Sequence, residues 1–569
     1  MSCFGAGPLD IVIFLLDDMR FDQVDTLTET AARLSPTSVA FSRAYVTTPM
    51  CCPERASFLS GGWYAHQTGV RTNVTPDGGA TQFDDARTLP VRLQETGYAT
   101  ALFGKYLNEY ALLGAYVPPG WSDWGGAYED TPWNKFDMQV GSSTPTAAGV
   151  ATLEHYPGYI QDWETESATT FLAAHADVPI FLYMSYLAPH NPHVPADQDR
   201  DTFLDFAYRG RAYEEADVSD KPTWIREQAL MTAAESADLD ANNIERMQSL
   251  LAVDRSIAAI IDTFRATPGR ENTVFILTSD NGQMWSEHRL HGKGVGYEES
   301  VRIPLIVAHP ALTGGGRRGL VASNLDLAAT VQEWAGLPIE GEGNSLIPTL
   351  CTETDVGRAT VLLQAWPWDD PGWSGFVTET HKYLETETGE QELYDLLNDP
   401  FEETNIASLE PGWVQTLADQ LAAERGLQIT SRTLPEGVAD QTYSYQLEHW
   451  GGVEPVVWSV VRDPWPEGLE LGENGVVSGT PTRAGTAAVT VQAVDSGKSP
   501  YDGRSQRTTL QLAITITEGV PAAKAPPDME CGCGAVATGN SPVTGWLAAV
   551  AALVALVSRR NRSSAPTRT

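Results

Sequence analysis

Ile11–Leu16 (IVIFLL), running directly into Asp17-Asp18, is the stretch that decides the fold. Six apolar residues in a row, too few for a globular helix and ending on two carboxylates, read as a strand buried on both faces. The pattern recurs at Pro179–Leu187 (PIFLYMSYL), Val274–Thr278 (VFILT) and Ile303–Val307 (IPLIV). Helical patterns such as Asn243–Ala266 lie between these runs, so the class is α/β, a mainly parallel sheet sandwiched by helices. A strand-rich piece at Gly375–Leu397 and a helical segment at Pro411–Arg425 close the region as a small C-terminal α+β subdomain.

Asp17 and Asp18 sit at the C-terminal end of a strand, where open α/β sheets place their sites. Two adjacent carboxylates are costly unless a cation or several donors compensate them. A hard divalent cation is one partner; capping of the next helix is the other. Val274–Thr278 likewise ends in Ser279-Asp280-Asn281-Gly282. Alone that is a common turn. With Asp17 and Asp18 it gives a four-ligand oxygen site for Ca²⁺ or Mg²⁺, and the lack of a His/Cys cluster argues against zinc.

In Thr48–Ser57 (TPMCCPERAS), Pro53 suits the first turn of a helix and places Cys51 at its positive end. Arg55 follows within reach of an anion bound there. A thiol in that field would be acidic and reactive. A buried Cys pair or a disulfide also fits the segment, although neighbouring cysteines rarely bridge each other.

Cys51-Cys52-Pro53-Glu54-Arg55 resembles the Cys-x-Pro-x-Arg signature of the sulfatase family, part of the alkaline-phosphatase-like superfamily. The continuation Ala56–Val70 is similar too, and the resemblance extends over roughly residues 9–425, the length of one large domain. It implies that Cys51 is oxidised to Cα-formylglycine by a formylglycine-generating enzyme or equivalent maturase. The hydrated aldehyde would attack sulfur beside the cation, which makes position 51 a metal ligand with Asp17, Asp18, Asp280 and Asn281. It further implies Lys105 (GKYLNEY) and Lys293 (HGKG) as sulfate-binding lysines beside Arg55, and His190 (APHNPH) as the acid for the departing alcohol. His193, His288 and His291 are candidate substrate contacts. Glu392–Leu396 with Asp399-Pro400 and Glu402 resembles the family's usual C-terminal segment.

Three residues depart from the family pattern: Glu54 replaces a serine, Gly62 stands where a Lys or Arg often occurs, and Leu107 replaces the histidine of many arylsulfatases. Gly104–Tyr110 followed by Val117–Trp121 resembles the N-acetylglucosamine-6-sulfatase and heparan endosulfatase branch. That implies a sulfated glycan, such as one carrying N-acetylglucosamine 6-sulfate, as the substrate. A non-catalytic surface adhesion protein whose sulfatase-like domain stays unmatured, and a phosphate or phosphonate ester hydrolase on the same scaffold, are the alternatives.

Outward from the site, the chain divides into residues 9–428, the sulfatase-like domain, and 432–518, rich in short alternating strands. The second piece resembles an immunoglobulin-like or cadherin-like β-sandwich, a spacer on an exported protein with glycan binding as the alternative role. Residues 519–541 form a Pro/Ala linker ending in Cys531-Gly532-Cys533, and 542–562 carry the apolar run Val543–Val557 before Arg559, Arg560 and Arg562. This tail resembles a myxobacterial-type C-terminal sorting signal, which implies sorting machinery as a partner and a cell-surface, outer-membrane or secreted protein. No signal peptide is visible at Met1–Pro8.

Composition bounds the rest. The 569 residues carry 37 Lys+Arg against 74 Asp+Glu, a net charge of −37, which disfavours nonspecific nucleic-acid binding. No run of eighteen apolar residues occurs, which excludes a polytopic membrane protein. Six cysteines in so long a chain make no disulfide scaffold.

Overall fold

Every residue of β1 (Asp10–Leu16) is buried, and its alternate side chains enter two different cores. The structure, a computed structural model, describes residues 3–5, 7–127, 136–312, 316–352, 357–366, 371–431, 434–498 and 503–518. Ile11, Ile13 and Leu15 pack on one side of the sheet with the helices Cys51–Leu59 and Asn324–Trp334. Val12, Phe14 and Leu16 pack on the other with the helices Ile160–Ala174 and Ala233–Ala266. Burial on both faces explains why the run is apolar without alternation.

The remaining strands of this sheet are β2 (Ser38–Tyr45), β3 (Ala99–Gly104), β4 (Asp123–Ala127), β5 (Phe136–Gly141), β6 (Thr152–Tyr156), β7 (Ile180–Tyr186) and β8 (Thr273–Ser279). After a two-stranded ribbon of β9 (Met284–Trp285) and β10 (His291–Gly292) come β11 (Arg302–Ala308) and β12 (Gly316–Ser323). The ten-stranded order is β12-β2-β11-β8-β1-β7-β3-β4-β5-β6. The contiguous block β8-β1-β7-β3-β4 is parallel, as is β12 with β2. β11, the Ile303–Val307 run, is antiparallel to both its neighbours, and β5 and β6 extend the far edge antiparallel. Burial makes a strand apolar whichever way it runs, so composition does not report direction.

A second sheet of β13 (Thr360–Ala365), β14 (Trp373–Thr378), β15 (His381–Thr386) and β16 (Gln391–Asp395) packs Phe376, Tyr383 and Leu393 on Leu417 and Leu421 of the helix Pro411–Glu424. Beyond it, Gly437–Val438, Arg507–Thr517, Gly485–Val494 and Val457–Arg462 form a four-stranded sheet, and Tyr443–Gln446, Val476–Gly479 and Leu469–Leu471 a three-stranded one. The two share a core of Trp458, Val477, Val489, Val491 and Ile514.

This β region is anchored on the larger one through Arg71, which donates from Nη1 to the Leu427 carbonyl at 2.8 Å and from Nη2 to the Arg507 carbonyl. Asp77 pairs with Arg71 at 3.2 Å and accepts from Thr509 Oγ1 at 2.7 Å. Cys3 and Cys351 are joined by a disulfide. Among the described residues no helix is long and apolar enough to cross a membrane. The sequence readings at 519–541 and 542–562 lie outside the described residues.

Candidate active site

The C-terminal ends of four adjacent parallel strands deliver most of the site. β1 and β8 are in register at Leu16 and Ser279, so Asp17-Asp18 and Asp280-Asn281 emerge side by side. On the other flank β7 pairs Tyr186 with Leu16 and leads through Leu187 to His190; β3 pairs Gly104 with Ser185 and leads to Lys105. From outside the sheet, the helix Cys51–Leu59 presents Cys51 in its first turn and Arg55 one turn later. Lys293 follows β10, in a loop tied to the Cys51 segment by Gly294 N donating to the Pro49 carbonyl at 3.1 Å.

These side chains form one network. The Cys51 thiol donates to Asp17 Oδ1 at 3.2 Å, and Lys293 Nζ donates to Cys51 Sγ at 2.8 Å. Lys105 pairs with Asp17, and Lys293 pairs with Asp18. Arg55 approaches Asp280 Oδ2 with both Nε and Nη2 at 2.9 Å, while Nη1 donates to the Lys105 carbonyl at 2.9 Å and to Ser185 Oγ at 2.6 Å. Asn281 Nδ2 donates to Asp18 Oδ1 at 2.6 Å, and Asp18, at φ 66°, donates from its backbone to Asp280 Oδ1 at 3.0 Å. A non-glycine residue in that left-handed region is held there by its surroundings. His190 Nε2 lies 3.8 Å from Asp18 Oδ2.

Electrostatics follow from three carboxylates and three cations sharing a largely buried pocket. Burial alone would raise the Asp17 pKa, but Lys105, His190, Arg55 and Lys293 hold it well below the usual carboxylate range. Asp18 is likewise lowered, since Lys293 and His190 outweigh burial and repulsion from Asp17. Asp280 is raised by burial and by Asp17, in spite of Arg55. The Cys51 thiol is pushed well up by burial and then by Asp17. This corrects the expectation of an acidic thiol: the helix N-terminus is outweighed by desolvation and an adjacent carboxylate. Cys51 and Cys52 are both free thiols.

The donor set fits a hard divalent cation. The ligand-capable atoms of Asp17, Asp18, Cys51 and His190 all lie within 4.8 Å of one another. Asn281 Oδ1 is buried and has no hydrogen-bond partner among the described residues. An orphaned carbonyl oxygen among carboxylates is what an oxygen-seeking ion satisfies.

The candidate substrate histidines fall elsewhere. His193 Nε2 accepts from Arg246 Nε at 3.1 Å, beside the site, and burial lowers its pKa to about 3. His288 is fully buried, bonded through Nδ1 to Glu215 Oε2 at 2.6 Å, and its pKa is lowered by burial to about 3. Its ring lies with Glu299 and Glu402, and Lys382 bridges Glu402 to Glu298 at 2.8 Å each. Its closeness to Lys293 in sequence says nothing about which way its ring turns. His291 is exposed on the ribbon.

The departures also find a place. Glu54 is buried, and burial followed by Asp280 raises its pKa well above the usual carboxylate range. Leu107 is a core residue. At Gly62 φ is +102° and a β-carbon would meet the Leu325 carbonyl oxygen at 3.0 Å, which disfavours the Lys or Arg otherwise expected there. Sequence reasoning missed Ser185, whose hydroxyl at the end of an otherwise apolar strand was the available signal. It also missed Arg246, one of three arginines of the helix Ala233–Ala266, which no motif sets apart from the other two.

A sulfatase family model matches residues 10–337, and the C-terminal model of N-sulphoglucosamine sulphohydrolase matches residues 286–425. The chain is 29% identical over 387 residues to human N-acetylglucosamine-6-sulfatase, spanning 63% of this chain and 68% of that protein. It is 28% identical over 368 residues to the extracellular sulfatase SULF-1 homolog of Drosophila melanogaster. That match spans 63% of this chain but only 32% of the fly protein, and 51% of a Caenorhabditis elegans relative. A solved structure described as in complex with its substrate D-glucosamine-2-N,6-O-disulfate superposes with a TM-score of 0.63 at 21% identity, covering 73% of this chain and 98% of the other. The phosphonate monoester hydrolase of Agrobacterium radiobacter superposes at 0.58 with 19% identity, covering 73% and 94%. These likenesses establish the alkaline-phosphatase-like fold of the sheet and its helices.

Proposed function

Because the chain belongs to the sulfatase family, we infer that it hydrolyses sulfate esters at the pocket around Cys51. The carrying observation is the single network of Arg55, Lys105, Lys293, His190, three carboxylates and Asn281 around that side chain, which Asp17 and Lys293 contact directly. Asp17, Asp18, Asp280 and Asn281 would hold Ca²⁺ or Mg²⁺, which supplies Lewis acidity toward sulfate oxygens when bound. Cys51, matured to formylglycine, supplies the hydrated aldehyde as nucleophile; its sulfur contacts Asp17 and Lys293 where that oxygen would sit.

The rest is work for this chain's own groups. Lys105 and Lys293 keep their protons, because Asp17 and Asp18 respectively outweigh the cost of burial. Both ammonium groups therefore face the sulfate charged and offset the negative charge that builds on its oxygens. Arg55, with Nη1 fixed by Ser185 and the Lys105 carbonyl, clamps Asp280 and sets the floor of the pocket. His190, its Nδ1 bonded to the Asn191 carbonyl at 2.6 Å, points Nε2 at the site and donates a proton to the leaving alcohol.

A glycan carrying N-acetylglucosamine 6-sulfate is the substrate class that the similar N-acetylglucosamine-6-sulfatase and extracellular sulfatase favour. Export is supported by the extracellular relative and by the Cys3–Cys351 disulfide, which needs an oxidising compartment to persist. The paired sheets of residues 437–517 would act as an immunoglobulin-like spacer, and residues 519–562 as a linker and sorting tail. Mass spectrometry of the tryptic peptide Ala44–Arg55 from the native host tests maturation despite Glu54. An unmodified Cys51 there would instead favour a non-catalytic binding protein. Release of inorganic sulfate from N-acetylglucosamine 6-sulfate, set against phosphate from the matched ester, tests the chemistry.

A further inference from the structure

Among the described residues no carboxylate forms an ion pair with Arg246; Asp18 acts on its charge only from a distance. On the helix Ala233–Ala266, its Nε donates to His193 Nε2 at 3.1 Å and its Nη1 to Asn243 Oδ1 at 2.6 Å, both neutral acceptors. The guanidinium lies 5.8 Å from the Trp285 ring centroid. Among the described residues Nη2 has no acceptor and, unlike the buried orphan atoms there, it is not sealed from solvent. Its neighbours are arranged differently: Arg20 is paired with Asp22 and Glu287, and Arg55 with Asp17 and Asp280.

Three features argue that this is a recognition group. A half-buried guanidinium without a counter-ion is expensive unless a ligand supplies the charge. Tying down Nε and Nη1 fixes the plane of the fork and leaves one edge presented, which suits an oxyanion. The position is right, because His193 is three residues from His190, whose Nε2 is 3.8 Å from Asp18. Asp18 also opposes the lowering that burial imposes on Arg246, whose pKa stays at about 10, so the group is cationic at neutral pH. In a chain of net charge −37, an unpaired cation at the edge of the pocket stands out electrostatically from its surroundings.

We propose that Arg246, held by His193 and Asn243, is a second anion-recognition point beside the reactive pocket, taking a further sulfate or carboxylate of the same glycan. The proposal rests on the sulfate-ester reading and narrows it: the preferred substrate carries at least two anionic groups, one hydrolysed and one used as a handle.

Equilibrium binding separates the two ideas, because it needs no turnover. The full chain with Cys51 unmodified is titrated calorimetrically with glucosamine 6-sulfate, with glucosamine N,6-disulfate, and with a disaccharide of glucosamine 6-sulfate and a uronic acid. The wild type should bind one of the doubly charged ligands at least tenfold tighter than the monosulfate, and which one identifies the handle as sulfate or carboxylate. Arg246→Gln should remove at least tenfold of that preference. Arg246→Lys, which keeps the charge, should retain part of it and guards against a folding defect. Equal weakening toward all three ligands, no weakening, or no binding by the wild type would each overturn the proposal. Failure of the sulfate-release assay would instead sink the ester reading, whatever the titrations show.

Discussion

At Gly104 a β-carbon would come within 1.9 Å of the Ser185 carbonyl oxygen, and the backbone there has φ +111°. The next residue donates its backbone N–H to that same carbonyl at 2.8 Å, and it is Lys105. The close approach of β3 to β7 is thus what sets the depth of a sulfate-facing cation. Gly104→Ala should cost about 3 kcal/mol or more of stability, read by thermal unfolding, together with at least a tenfold loss of kcat/KM as Lys105 shifts. A melting temperature unchanged by this substitution would contradict the geometry. His66 acts on the pH scale instead. It stacks on Tyr64, is bonded through Nδ1 to Gln364 Oε1 at 2.7 Å, and burial lowers its pKa to about 4 from 6.5. Between those values the unfolded chain binds the proton and the folded one does not. The contribution is therefore complete above pH 6.5 and is lost as pH falls toward 4, up to about 3 kcal/mol. Denaturant titrations from pH 7 to 4.5 should show a shallower acid slope in His66→Gln than in the wild type.

The helix Cys51–Leu59 places Cys51 and Arg55 on one face because four residues make one turn, and nothing on it is exposed. Arg55→Lys keeps the charge but cannot hold Asp280 through two nitrogens while also reaching Ser185 and the Lys105 carbonyl. Assayed on a sulfate ester, it should lower kcat by about a hundredfold or more, with a smaller change in KM. A change confined to KM would mean that Arg55 only gathers substrate. This helix was legible in sequence because its signature residues come from one short segment. The carboxylate pairs were legible because each follows a strand that had to be buried. Strand direction was not: Ile303–Val307 looks like its parallel neighbours and runs the other way, since both arrangements bury the same side chains. Contacts between distant positions were the least visible. His193 meets Arg246 only because a loop after β7 folds against a helix more than forty residues later.

Over the whole molecule, Arg71 is the pin between the catalytic region and the β region that follows it. It is 2% exposed, and two of its nitrogens reach the Leu427 and Arg507 carbonyls. Arg71→Met should leave those carbonyls unsatisfied and loosen the junction, seen as faster proteolysis near residues 427–437 and as separation of the thermal transition into two. Cleavage as slow as in the wild type would show that the remaining contacts suffice. The Cys3–Cys351 bond has a different reach, for it spans 348 residues and every group proposed to touch sulfate lies between its ends. The polypeptide from Cys3 to Cys351 is consequently a closed ring. One cut in any surface loop of that ring turns it into an open strand without releasing a fragment, and the nicked protein should migrate as a single species until a reductant is added. In a medium containing proteases, backbone continuity and covalent integrity become separate properties, and the pocket depends only on the second.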